Sequence, residues 1–225
     1  MGSPASEPMR GGSEVQHRVR IVQPFYMATD IFTQAQWSSL IDTNPSLFKR
    51  DANSPSRPVE HVSFTLLQEQ LLPKLQKFAP PGWIVRFPTE AEWEYACRAG
   101  ADTAFFTGNT LSPLDANYDD TFVREGGAGT SKVGETTPVE SYKPNAWGLY
   151  DMAGNVFQWC GDWYGNSYAA FPADAPCNQT PGPGRVLRGG CWIHGPKYCR
   201  SASRYFAPPD YFSGSIGCRI VLAQQ

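Results

Sequence analysis

No stretch of this chain approaches the roughly 20 consecutive apolar residues that cross a membrane. Its first residues, MGSPASEPMRGGSE, contain no apolar core of the kind a secretory signal carries. Cysteine is sparse: six residues, at 97, 160, 177, 191, 199 and 218, form no CxxC pair and are too few for a disulfide scaffold. Histidine is limited to His17, His61 and His194. Charged residues make up only 18%, with a formal net charge of −2, so nothing general draws the chain to nucleic acid or an acidic membrane. These absences predict a protein of a reducing, cytoplasmic setting with no membrane span and no nucleic-acid partner. The abrupt start is also what a piece of a longer protein would have.

What is abundant is aromatic residues (13%), glycine (21) and proline (20), the profile of an ordered, loop-rich globule. No internal repeat or linker divides the chain. A single domain over residues 1–225 is expected, of α+β class, with a few helices, short strands and much irregular chain. Residues 1–17 read as a loose arm. Residues 19–27 have strand character, and Pro24 marks an edge strand. Thr33 and Gln36 form a capping box that starts a helix over 33–42, with Trp37, Leu40 and Ile41 as its apolar stripe. Ser63 caps a second helix carrying Leu66, Leu67 and Leu71, which Pro73 threatens to end. A strand is expected over 83–87. Thr89 and Glu92 form another capping box, with Trp93, Ala96 and Cys97 facing inward and Gly100 as the stop. Glu90, Glu92 and Glu94 fall where the helix dipole favours negative charge, which explains the carboxylate cluster without acid–base chemistry. Residues 101–144 show little regular structure.

The C-terminal run is different in kind. A strand over 185–188 breaks at Gly189-Gly190, and apolar character returns only at Ile220-Val221-Leu222. Between them, residues 193–215 contain no Glu, Gln, Met or Trp and a single Lys. A long aperiodic stretch inside a compact domain is uncommon unless it has a job. Tyr and Phe give large contact area at low entropy cost, while Ser and Gly supply adaptable hydrogen bonding. The arginines of this region (185, 188, 200, 204 and 219) are expected to hold loops together by bonding backbone carbonyls.

Eight segments, MGSPASEP, PFYMATDIFTQAQW, NPSLFKRD, RPVEHVSF, RFPTEAEWEYACRAG, TTPVESYKPNAWGLYDMAGNVFQW, RVLRGGCW and IGCRIV, run in order along nearly the whole chain. Together they resemble the formylglycine-generating enzyme (sulfatase-modifying factor) family, which implies a C-type-lectin-like fold. The family includes catalysts and binding proteins, so the resemblance alone does not assign an activity. The catalysts bind copper with two cysteines five residues apart. Here the second falls on Cys199 but the first on His194, and Cys191 stands where GGSW has its serine. An improvised site of Cys191, His194 and Cys199 has suitable residue types at unsuitable spacing. The sulfoxide-forming iron relatives use histidines that this chain lacks.

The other branch it resembles is the variable proteins of diversity-generating retroelements. Trp192, Pro196, Cys199-Arg200-Ser201-Ala202, Arg204, Pro209-Asp210, Ile216-Gly217 and Arg219 match the fixed places of their C-terminal region, about 191–218 here. The diversified places correspond to Ile193, His194, Gly195 and Tyr198, then Ser203, Tyr205, Phe206, Ala207 and Pro208, and finally Tyr211, Phe212, Ser213, Gly214 and Ser215. Adenine-directed mutagenesis of Asn-type codons yields these residues but never Glu, Gln, Lys, Met or Trp, which accounts for the composition. The resemblance implies a variable surface that recognises a macromolecular ligand, a protein, by a monomer with no catalytic residues. A copper-dependent oxidase, or an inactive relative of one, is the alternative; a regulatory domain of a larger signalling protein is a third. Tyr198, Tyr205, Phe206, Tyr211 and Phe212 are expected to form the contact patch, and Arg200, Arg204 and Arg219 the frame. Asp151, Gly154, Val156 and Gln158 overlie a family calcium site, with Gln158 where a carboxylate is usual; no other cofactor is expected. A second such site would use Asn117 and Tyr118 with an acid near Ser131, which is absent.

Overall fold

In the computed structural model, which describes residues 1–122, 132–168 and 177–225, the helices begin where their caps put them. The Thr33 hydroxyl accepts from the Gln36 backbone N–H and the Gln36 side chain accepts from that of Thr33, opening α1 (Gln34–Ser38). The same reciprocal pair, Thr89 and Glu92, opens α4 (Glu90–Arg98). That helix stops in the left-handed region at Ala99, one residue ahead of the expected glycine. Ser63 caps α2 (Phe64–Leu66), which continues through a π-helical turn (Leu67–Leu71) into α3 (Leu72–Gln76). Pro73 therefore does not end the helix. It sits in the first turn of α3, where its missing N–H costs little and the wider turn before it absorbs the ring.

The strands are short and form two sheets. In the first, β7 (Val221–Gln224) lies between β1 (Phe25–Met27) and β2 (Trp83–Arg86), antiparallel to both. The expected strand over 19–27 shrinks to the part beyond Pro24, and it is an edge strand. The second sheet has the order β5-β4-β3-β6, built from β3 (Phe157–Trp163), β4 (Arg185–Arg188), β5 (Tyr205–Ala207) and β6 (Ile216–Gly217). β6 runs parallel to β3, and the other pairs are antiparallel. Trp37, Trp93 and Trp159 are fully buried between sheets and helices with Leu67, Leu71 and Leu187.

Residues 1–17 are not a loose arm. The Gly2 N–H donates to Glu94 at 2.9 Å, Ser3 pairs with Glu14, and Glu7 and Glu14 are buried. Composition suggested a loop, and it is one; tertiary ion pairs, invisible in local pattern, pin it down. Among the described residues, no helix is long and apolar enough to cross a membrane.

Candidate ligand-binding surface

After β4 the chain makes a 3₁₀ turn (Pro196–Cys199), returns as β5 on one edge of the second sheet, and crosses to β6 on the opposite edge. It then enters the first sheet as β7. The stretch without periodicity is thus tied into both sheets. Between those ties, buried arginines hold it from beneath. Arg204 makes a two-pronged pair with Glu90 (2.6 and 2.8 Å) and lies over the rings of Tyr164 and Tyr168. Arg188 bridges Glu94 and the Ser203 carbonyl. Arg200 meets Glu7 and Glu14 of the N-terminal arm at 2.5 and 2.7 Å. Arg219 alone among these four works mainly through carbonyls, donating to Ala28 (2.7 Å), Thr29 (2.6 Å) and Tyr150. The expectation of arginines on carbonyls holds for Arg219 and for Arg185, which donates to the Gly161 carbonyl at 2.6 Å; Arg188 and Arg204 combine carbonyls with carboxylates, and Arg200 meets carboxylates. Glu90 and Glu94 belong to this network and not only to the helix dipole. Burial alone would raise the Glu90 carboxyl, but Arg204 and Arg188 hold it below the usual range.

Above the frame lies an open hollow of about 500 Å³. Its floor is Phe157 of β3, which is buried and stacks on Tyr205 with centroids 5.3 Å apart. His194 meets Phe157 edge-on at 5.5 Å. Ile193, Phe206, Pro208 and Tyr211 complete the rim, and Ala207, Ser213, Ser215 and Ile216 the walls. Ile193, Tyr205, Phe206, Tyr211 and Phe212 are between 37% and 54% exposed, an unusual density of free apolar surface on one segment. Phe206 stacks on Tyr164 and Phe212 leans on His61. Tyr198 is half-buried against the core. Gly195, Ser203, Ala207, Gly214 and Ser215 are buried, so the exposed face is narrower than the run of fourteen positions. Trp192 is half-buried and donates to the Gly214 carbonyl at 2.9 Å, a tie rather than a contact.

The Cys191 sulfur lies 2.9 Å from His194 Nδ1. Burial pushes the Cys191 thiol up to about 12, raises Cys199 further, and lowers His194. All three are therefore neutral near pH 7, the opposite of an activated thiolate. Among the described residues, no three His, Cys, Asp or Glu side chains come together as a metal site. The improvised copper site is thus not assembled. The calcium residues also do not fit the ion as arranged. Asp151 is the one carboxylate, burial pushes it up to about 6, and its oxygens accept from Asn155 and the Glu140 N–H. The Gln158 oxygen already accepts from Trp93 and Arg219, both at 2.9 Å, and its amide donates to the Asp151 carbonyl. The Arg219 guanidinium thus already uses the one oxygen that Gln158 could offer a dication. At the second site, Ser131 lies outside the described residues.

The sulfatase-modifying factor enzyme 1-like domain model matches residues 1–224. The chain belongs to that family. It is 38% identical over 174 residues to the formylglycine-generating enzyme of Streptomyces coelicolor, a match that covers 73% of this chain and 52% of the enzyme. The chain thus spans about half the length of that curated relative. Among solved structures it resembles Treponema denticola variable protein 1, with 27% identity and a TM-score of 0.77 over 89% of this chain and 84% of that one. It also resembles PvdO from Pseudomonas aeruginosa, with 26% identity and a TM-score of 0.80 over 100% and 90% of the two chains. These neighbours share the C-type-lectin-like α+β fold that the sequence motifs implied. Three residues of this family member's surface escape sequence reasoning: Phe157, Tyr164 and His61. Each is remote in sequence from the C-terminal run and reaches it only through sheet pairing or ring contact.

Proposed function

We propose that this member of the sulfatase-modifying factor family is a binding protein whose C-terminal segment is a variable surface for a protein ligand. The observation that carries the reading is the arrangement at β5. Exposed rings (Tyr205, Phe206, Tyr211, Phe212) and Ile193 face out from a segment whose arginines face in and pair with buried carboxylates of the frame. Such a frame lets outward side chains change without unfolding the domain. Likeness to a variable protein supports the same reading. The variable positions are the fourteen between Ile193 and Ser215, the outward ones making contact and the buried ones setting loop shape. The domain spans residues 1–225, binds as a monomer, and has no catalytic residues.

Likeness to formylglycine-generating enzyme favours the second reading, a copper-dependent oxidase acting on a sulfatase cysteine. Against it stands His194 in place of the first thiol. Two tests separate the readings. Incubation with copper(I) and a Cys-containing sulfatase peptide should give no aldehyde product by mass spectrometry; aldehyde formation would establish the enzyme. Sequencing of the encoding locus should reveal a reverse transcriptase beside a near-copy of the 3′ coding end, differing at adenines.

A further inference from the structure

Within the proposed binding surface, the hollow is lined by rings, aliphatic groups and hydroxyls. Its lining contains no Asp, Glu, Asn, Gln, Lys or Arg side chain. A sugar's paired hydroxyls are met best by such two-pronged groups rather than by single hydroxyls, and a phosphate needs cationic or backbone donors. Aromatic and aliphatic walls instead suit an uncharged apolar group, and an open hollow of about 500 Å³ has room for one.

The polar atoms present are linked. The Ser213 and Ser215 hydroxyls are 2.9 Å apart, Ser215 lies beside the Cys191 sulfur, and that sulfur is 2.9 Å from His194 Nδ1. The Ile193 and His194 backbone N–H groups also approach the sulfur. With its acceptor side so occupied, and with the thiol protonated at neutral pH, the S–H is the donor to Nδ1, because imidazole nitrogen is the stronger acceptor. The His194 proton therefore sits on Nε2. The half-buried ring thus adds one N–H donor to a hollow whose other side-chain polar groups are the Tyr205, Tyr211, Ser213 and Ser215 hydroxyls.

We infer that this hollow receives one uncharged aromatic or branched aliphatic side chain of the protein ligand, with the His194 Nε2–H donating to the backbone carbonyl beside that anchor. This rests on the binding reading above, but it can fail alone. A ligand could bind across the outer rings and leave the hollow empty.

The test uses the whole chain and small probes, followed by NMR of the Ile193 and Ala207 methyl groups. N-acetyl-tryptophanamide and 3-methylindole should both shift these methyls, the amide binding several-fold more tightly because it carries the carbonyl. In His194→Phe, which keeps a ring but removes the donor, that advantage should vanish while 3-methylindole still binds. Ile193→Arg, a change at an exposed rim position, should weaken both probes at least tenfold. Methyl glucoside and uridine monophosphate should leave the methyls unmoved. A shift by the sugar or nucleotide, no shift by either indole probe, or an amide advantage that survives His194→Phe would each overturn the inference. The variable-surface reading would survive all three results if the locus carries the retroelement and substitution of Phe206 and Phe212 still alters partner binding.

Discussion

The Arg200 guanidinium lies wholly inside the protein, facing the Glu7 and Glu14 carboxylates across almost the full length of the chain. Removing one partner of a buried pair leaves a charge without water or counter-charge, which costs roughly 3–5 kcal/mol. Arg200→Ala or Glu14→Ala should therefore lower stability by about that much in urea unfolding, whereas Tyr211→Ala, at an exposed ring, should change it by no more than about 0.5 kcal/mol. Glu60 is the reverse case. It is fully buried, accepts from the Phe48 N–H at 2.9 Å, and leaves Oε2 without a hydrogen-bond partner. Burial raises its carboxyl from 4.5 to about 7. The folded state thus favours the protonated acid, and the stability this group contributes is present below about pH 4.5 and lost as pH rises through about 7. The difference is on the order of 3 kcal/mol. Glu60→Gln, neutral at every pH, should remove that part of the pH dependence in a series of thermal melts. An unchanged slope between pH 4.5 and 7 would show that Glu60 ionises freely.

At the scale of elements, the helix starts were legible because a capping box is local: both partners lie three residues apart, at Thr33 with Gln36 and Thr89 with Glu92. The π-helical turn before Pro73 was not legible, since the surroundings decide whether a proline ends a helix or is absorbed. The turn at Gly154 shows how tightly the segment before β3 is built. Its φ is +77°, and a Cβ there would sit 2.3 Å from the Asn117 carbonyl oxygen, which also accepts from the Asn155 N–H. Gly154→Ala should consequently destabilise by more than the ~1 kcal/mol of an ordinary glycine replacement, because backbone must move as well as strain. The residues around the hollow divide by the same logic. Truncating Phe157, the buried floor of the hollow, should cost about 3–5 kcal/mol of stability. Truncating Phe206 or Tyr211 should cost about 2 kcal/mol of ligand binding instead, read by titration calorimetry with a partner selected against the protein.

At the scale of the whole molecule, the two termini complete the structure. β7 is the middle strand of its sheet, paired with both β1 and β2, and the N-terminal arm neutralises the arginine beneath the binding surface. A chain cut after Arg219 loses the central strand and should show no cooperative unfolding transition by calorimetry. The sequence by itself determined the helix starts, the edge character of β1, the family and hence the fold, and the unusual composition of residues 193–215. All of these reside in short-range pattern or in motifs that stand in order along the chain. Only the tertiary structure decided that the N-terminal arm is pinned, that Glu90 and Glu94 serve the arginines, and that Arg219 donates to the Gln158 side-chain oxygen. It alone also divided the fourteen positions expected to vary into exposed and buried. The reason is physical: a buried charge must find its partner in space, and that partner can lie 193 residues away along the chain, as Glu7 does from Arg200.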